Sequence, residues 1–312
     1  MADIRKVATR QSYGEALVEL GAAHDDFVVL DADLAAATQT GKFKAAYPDR
    51  FIDVGVAEQN LMGVAAGIAT TGHRVFASTF AMFAAGRAFE QVRNSIGYPH
   101  LHVVIGATHA GMSVGEDGAT HQCNEDLALM RAIPGMTVIV PADDVEAKAA
   151  VRAAYEAEGP VYVRLGRLPV PVIHKDDYHF ELGRGVVERE GSDVTVIACG
   201  LEVPAALEAA KTLADKGMSC EVINMATIKP LDGDLIVASA RKTGRVITVE
   251  EHSVIGGLGS AVCDLLCEAC PTPVKKIGVN DVFGESGPAL DLLAKYDLDG
   301  AGVAEIIEGF VR

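Results

Sequence analysis

Fourteen residues, His109 to Gln122, gather two histidines, two acids and three glycines behind an apolar run that ends at Ala107. That polar density reads as a loop at the carboxyl end of a strand, where open parallel sheets place ligand sites. The histidines lie twelve residues apart, which is not a metal-ligand spacing, and Glu116-Asp117 is not arranged as a calcium loop. A second candidate is Val54-Gly55-Val56-Ala57-Glu58-Gln59-Asn60, where one carboxylate sits among apolar neighbours at a helix start. Glu58 suits proton exchange near neutral pH there, and it equally suits a first-turn acid favoured by the helix dipole. Phe80 and Phe83 lie three apart, a spacing that predicts one helix face and, by default, core packing. Cys263, Cys267 and Cys270 have C-x3-C-x2-C spacing. Leu258, Val262, Leu265, Leu266 and Ala269 recur around them at helical spacing, so we expect core thiols on a helix rather than an iron–sulfur cluster. Gly256-Gly257-Leu258-Gly259 resembles a phosphate-binding turn but lacks the third glycine, which favours close helix–sheet packing.

The elements that must position these residues alternate. Short apolar runs at 27–31, 75–77, 102–107, 137–140 and 161–165 predict strands. Helical patterns at 58–70, 81–96 and 145–157 lie between them, the last behind Asp143-Asp144 as an amino-terminal cap. Residues 168–190, with Pro169, Pro171, Lys175, Asp176 and Asp177, predict a connecting stretch. Strands at 194–199, 220–224, 246–250 and 274–277 and helices at 203–215 and 258–268 form a second unit. The expectation is an α/β protein of two open parallel or mixed-sheet domains with helices on both faces. The boundaries expected are a first domain 1–175, a linker 176–190 and a second domain 191–312.

The 312 residues carry 27 Lys and Arg against 43 Asp and Glu, a net charge of −16. With no basic block, a nucleic-acid groove would have little to hold phosphates, so no nucleic-acid partner is expected. No apolar run approaches a membrane span, and Met-Ala-Asp-Ile-Arg-Lys lacks the core of a secretory signal. A cytoplasmic protein is the expectation. Six cysteines are too few for a disulfide framework.

Taken jointly, 54–60, Ser78–Phe83 and His109–Gln122 resemble the pyrimidine-binding domain of thiamine diphosphate enzymes. The nearest resemblance is to transketolases, and within them to the separate carboxyl-terminal subunit of two-chain forms. It extends through Cys199-Gly200, Lys229-Pro230-Leu231-Asp232 and Glu250-Glu251-His252. The resemblance implies that Glu58 donates a hydrogen bond to the aminopyrimidine nitrogen N1′ and that Phe80 and Phe83 wall the pyrimidine. It implies that His109 and His121 contact sugar hydroxyls and the carbonyl oxygen, and that Asp117 reads the donor's 2-hydroxyl. Arg10 and Arg167 match the arginines that grip a sugar phosphate, and Asp33 matches an acid at the cofactor edge. Three positions depart from the family: Ala110 replaces an Asp, Gly86 a wall tyrosine, and Ala37, beside Thr38, a phosphate-side serine.

The same resemblance implies thiamine diphosphate with Mg²⁺ (or Ca²⁺) as cofactors. Such enzymes hold the metal through Gly-Asp-Gly and a downstream Asn. Asp232-Gly233-Asp234 is not that motif, since it follows Lys229-Pro230 in the second unit. No metal ligand is assigned to this chain. A separate amino-terminal subunit must then carry the diphosphate, with self-association into a dimer or heterotetramer and sugar phosphates as substrates. Three other readings compete: the beta subunit of a 2-oxoacid dehydrogenase, a deoxyxylulose phosphate synthase-like enzyme, and a non-catalytic regulatory subunit. The paired His109 and His121 around Glu116-Asp117 stand against the first two, and the intact Glu58 and loop against the third.

Overall fold

A computed structural model describes residues 5–312; residues 1–4 of the expected first domain and of the segment read for a signal lie outside the described residues. Along the chain the strands are β1 (Lys6–Val7), β2 (Phe27–Asp31), β3 (Phe51–Asp53), β4 (Arg74–Phe80), β5 (Val103–Thr108), β6 (Thr137–Ile139) and β7 (Val161–Arg164). Then come β8 (Val170–Pro171), β9 (Val186–Arg189), β10 (Val194–Ala198), β11 (Cys220–Asn224), β12 (Thr227–Lys229), β13 (Val246–Ser253) and β14 (Val274–Val279). The fold is α/β, with two mixed sheets. The first has the order β12-β6-β7-β5-β4-β2-β3, parallel from β6 to β3. The second has the order β14-β13-β10-β11-β9, parallel except for β9.

Both faces of the first sheet are covered. Phe27, Val29, Phe76 and Val104 point into one core with Tyr13 and Leu17 of the Thr9–Ala23 helix. Their neighbours Leu30, Val75, Ala77 and Ile105 point into the other, with Leu61 and Met62 of the Glu58–Ala69 helix. Strands buried on both sides read as continuous apolar runs, which is why these segments were legible. The second core continues into Ile197, Ile223, Ile228 and Leu258 of the second unit, so the two units share apolar interior.

Four expectations need correction. The helix expected over 81–96 is broken: Ala88 N–H donates to Phe83 O and Tyr98 N–H to Arg93 O, each five residues back, so two π-helical segments flank Phe89–Gln91. Phe80 is the last residue of β4 rather than a helical neighbour of Phe83. The three cysteines are not core thiols; Cys267 is exposed and Cys263 and Cys270 half-buried, because Leu258, Val262 and Leu266 take the inner face. The stretch 176–190 ends in β9, whose Val186 and Val187 pair antiparallel with β11 at the edge of the second sheet. The sequence pattern also missed β12, which leaves the second unit and pairs antiparallel with β6 of the first.

Asp143 caps the Asp144–Glu156 helix as expected, accepting from Glu146 N–H at 2.9 Å. It also accepts from the Ile173 and His174 amides at 2.7 Å. The His174 ring sits between Asp143 (3.1 Å) and Glu188 (3.0 Å), with Tyr178 and Glu146 beside it. Burial lowers the pKa of His174, but the two carboxylates outweigh it and raise the value to about 10. Folding therefore favours protonated His174. Its stabilising contribution is complete below about 6.5, the unfolded value, and is lost as pH rises toward about 10. The wild-type denaturation midpoint should fall more steeply between pH 7 and 10 than that of His174→Gln, as read by urea melts. Parallel slopes would remove His174 as the cause.

Candidate active site

Parallel pairing brings five strand ends to one edge. Asp31 pairs with both Asp53 and Ser78, Phe80 with Thr108, and Ala107 with Arg164. Phe80 therefore ends β4, and Arg167, His109, Asp33 and Glu58 follow the ends of β7, β5, β2 and β3, side by side along the sheet. From β2 the chain steps outward to β3 and then back to β4 on the other side, the kind of switch point where open sheets bind ligands.

The centre of the edge is a stack. The His109 ring lies 3.8 Å from Phe80 at 23°, and Phe80 lies 5.9 Å from Phe83 at 11°. His121 stands edge-on to Phe83 at 5.3 Å and 77°. His109 has left-handed backbone (φ 57°), an unusual conformation for a histidine that turns it back over Phe80. Arg10 NH1 lies 3.1 Å from His109 Nε2, and an arginine can only donate. Nε2 is therefore the acceptor, and the ring proton sits on Nδ1, donated to Thr108 Oγ1 at 2.9 Å. Burial, then Arg10, Arg167 and His121, lower the pKa of His109 to about 3.

Arg10 is held by a second contact. Its NH1 donates to the Ala37 carbonyl at 2.9 Å. That carbonyl is placed by Asp31, which is fully buried and accepts from Leu34 N–H, Thr38 Oγ1 and Thr40 Oγ1. Arg167 NH1 donates to Val114 O at 2.5 Å and faces Glu116 (3.4 Å) and Asp117 (3.6 Å). Arg10 and Arg167 border one cleft of about 380 Å³ with Gln11, Ser113 and Leu168. Burial and the positive charge of Arg167 lower the pKa of Arg10. Two guanidiniums on one cleft are a ready partner for an anion.

Arg10, His109, Phe80, Phe83, His121, Arg167 and Asp117 are thus brought together. Glu58 and Asp33 share the edge but make no hydrogen bond or ring contact with that cluster among the described residues. Asp33 is exposed with left-handed backbone (φ 62°), and its N–H donates to Asp53 Oδ1 at 3.0 Å. Glu58 opens its helix, is 6% exposed and takes no hydrogen bond among the described residues, while Val56 beside it is 78% exposed.

Behind the loop lies a cluster that sequence reasoning missed. Arg164 Nε donates to Asp126 at 2.9 Å, and Tyr162 OH donates to the same carboxylate at 2.8 Å, all buried. Arg164 NH2 reaches Cys123 O (3.2 Å) at the end of the loop and Glu251 O (2.8 Å) on β13. Glu251 accepts from Ser113 N–H, and burial raises its pKa to about 7. Neighbouring Glu250 accepts from Leu258 N–H (2.7 Å) and Gly259 N–H (2.8 Å). Its carboxylate fills the helix start that the glycine-rich turn offered to a phosphate, and a Cβ at Gly257 would meet it at 2.0 Å. The one signal in the sequence was the run Glu250-Glu251-His252 at the end of an apolar strand.

Comparison with known proteins decides the family. Residues 5–172 match the transketolase pyrimidine-binding domain, and residues 183–303 the transketolase C-terminal domain. The chain belongs to the transketolase family. A Methanocaldococcus jannaschii protein named for the C-terminal section of transketolase is 50% identical over 96% of this chain and 94% of its own. A solved structure described as a split-gene transketolase, an inactive β4 tetramer, matches with TM-score 0.91 and 57% identity over 97% of this chain and 98% of its own. Human transketolase is 38% identical over 98% of this chain, which spans 49% of its length. Transketolases are thiamine diphosphate enzymes, and a flat aromatic stack with an unpaired buried carboxylate on the same edge fits the pyrimidine side of that cofactor. Among the described residues no group of three or more His, Cys, Asp or Glu side chains is arranged to hold a metal ion. No helix among them is long and apolar enough to cross a membrane.

The His109 Hε1 resonance should show no titration between pH 5 and 8, because its ring is neutral down to about 3. Arg10→Met should move the transition upward. A wild-type midpoint near 6.5 would contradict the Arg10 contact.

Proposed function

We propose that this chain is the pyrimidine-side, carboxyl-terminal subunit of a two-chain transketolase, moving a two-carbon ketol unit from a ketose phosphate to an aldose phosphate. It acts with a separate subunit that holds the diphosphate and its Mg²⁺, in a heterotetramer or similar assembly. The observation that carries the reading is the Arg10–His109–Phe80 stack beside a two-arginine cleft, in a chain that spans half of a whole transketolase.

Bound thiamine diphosphate supplies the nucleophilic thiazolium carbon that carries the two-carbon unit. The buried Glu58 carboxyl, free of any side-chain partner among the described residues, is the hydrogen-bond partner for the pyrimidine ring nitrogen. Phe80 and Phe83 offer the pyrimidine a flat face, and Asp33 borders the cofactor edge. Arg10 and Arg167 hold the sugar phosphate through charge-assisted hydrogen bonds. When Arg10 turns to a phosphate it frees His109 Nε2, a neutral acceptor ready for a substrate hydroxyl proton. His121 binds Thr120 Oγ1 through Nδ1 at 2.9 Å, which leaves Nε2 for the carbonyl oxygen. Asp117 reads the donor's 2-hydroxyl.

The test is ketol transfer by this chain combined with a subunit that carries the diphosphate-binding half. Glu58→Gln should lose a hundredfold or more in kcat while still assembling, the scale of general acid–base effects. Arg167→Ala should raise KM for a phosphorylated donor by about ten- to a hundredfold, the worth of a charge-assisted bond. Undiminished transfer by Glu58→Gln, or transfer by the unaccompanied chain, overturns the reading.

A further inference from the structure

Glu251 lies on β13 of the second unit, far in sequence from the loop it touches. Its carboxyl is buried and accepts from Ser113 N–H. Gly111, two residues earlier, has left-handed backbone (φ 79°), and a Cβ there would come within 2.4 Å of the same carboxyl. The loop thus leaves room for Glu251 and presents an amide to it. The residue after Ser113 is Val114, whose carbonyl accepts from Arg167 NH1 at 2.5 Å. The two residues Ser113 and Val114 are therefore held at both ends, the acid on the Ser113 amide and the cleft arginine on the Val114 carbonyl. The Glu251 backbone is fixed in turn: its carbonyl accepts from Arg164, which is locked to Asp126.

We propose that Glu251 is a positioning residue: by holding the Ser113 amide it sets the Val114 carbonyl, and through it the direction of Arg167 toward the phosphate of the substrate. The second domain lends the cleft formed by Arg10 and Arg167 only the apolar Ala289, and acts on phosphate recognition through the Glu251 carboxyl. The inference rests on the reading of Arg167 as a phosphate-binding residue.

Glu251→Met keeps the length of the side chain and removes the acceptor; Glu251→Gln keeps an acceptor oxygen. The first readout is hydrogen exchange of the 109–122 segment in the full chain alone. Exchange at Ser113 should be about tenfold faster in Glu251→Met and unchanged in Glu251→Gln. The second readout is steady-state kinetics of the assembled enzyme. Glu251→Met should raise KM for a ketose phosphate about tenfold with kcat within twofold, and leave KM for an unphosphorylated 2-keto donor unchanged. Glu251→Gln should restore the wild-type values. Unchanged exchange at Ser113 in Glu251→Met overturns the proposal. So does an equal rise in KM for both donors, which would mean general damage to the loop. If Glu251→Met does not fold, Glu251→Gln decides: loss of Ser113 protection there also overturns it. A wild-type assembly that transfers no ketol unit counts against the proposed function, and the exchange readout then decides the Glu251 contact by itself.

Discussion

The buried pair of Arg164 and Asp126 is the contact on which the rest of the site stands. One guanidinium meets a carboxylate that Tyr162 also binds, and its other arm joins the end of the site loop to a strand of the second unit. Such a pair is seldom stabilising against an apolar replacement, but losing one partner strands a charge and costs about 3–5 kcal/mol. Here the pair has a further task. Burial works against the charge on Arg164, but the field of Asp126 outweighs it, so the guanidinium stays charged and two carbonyls from distant parts of the chain share one donor.

From that anchor the edge of the first sheet reads as a row of chemically distinct posts. A cation stands behind β7, a neutral imidazole behind β5, aromatic rings at the end of β4, and acids behind β2 and β3. Parallel pairing keeps neighbouring strands about 4.8 Å apart, so the row from His109 to Glu58 spans roughly 14 Å. Under the proposed function, that row gives room for a sugar at one end and a pyrimidine ring at the other.

Much of this was legible in the sequence because the strands are apolar on both faces and the loop between His109 and Gln122 is too polar for a core. The Asp143 cap and the parallel core strands followed from the same patterns. The spacing of Phe80 and Phe83 misled, since a helix period was read across a strand end and the π-helical turn that follows. The cysteine triad misled because three small side chains at helical spacing carry no sign of which face is inward. Asp31, Asp126, Arg164 and Glu251 were not legible as site residues. Asp126, Arg164 and Glu251 act on partners far along the chain, and Asp31 on a turn just after its strand. A buried charge beside apolar residues carries no sign of its partner until that partner is seen.

The pairing of β12 with β6 bears on how the protein is made. The outer edge of the first sheet is closed by residues 227–229, which leave the ribosome some ninety positions after β6 itself. Until then the nascent sheet has an open strand edge, a template for pairing with other chains. The first unit is therefore completed by the second, and a chain arrested between the two carries an unfinished edge that synthesis of the remainder seals.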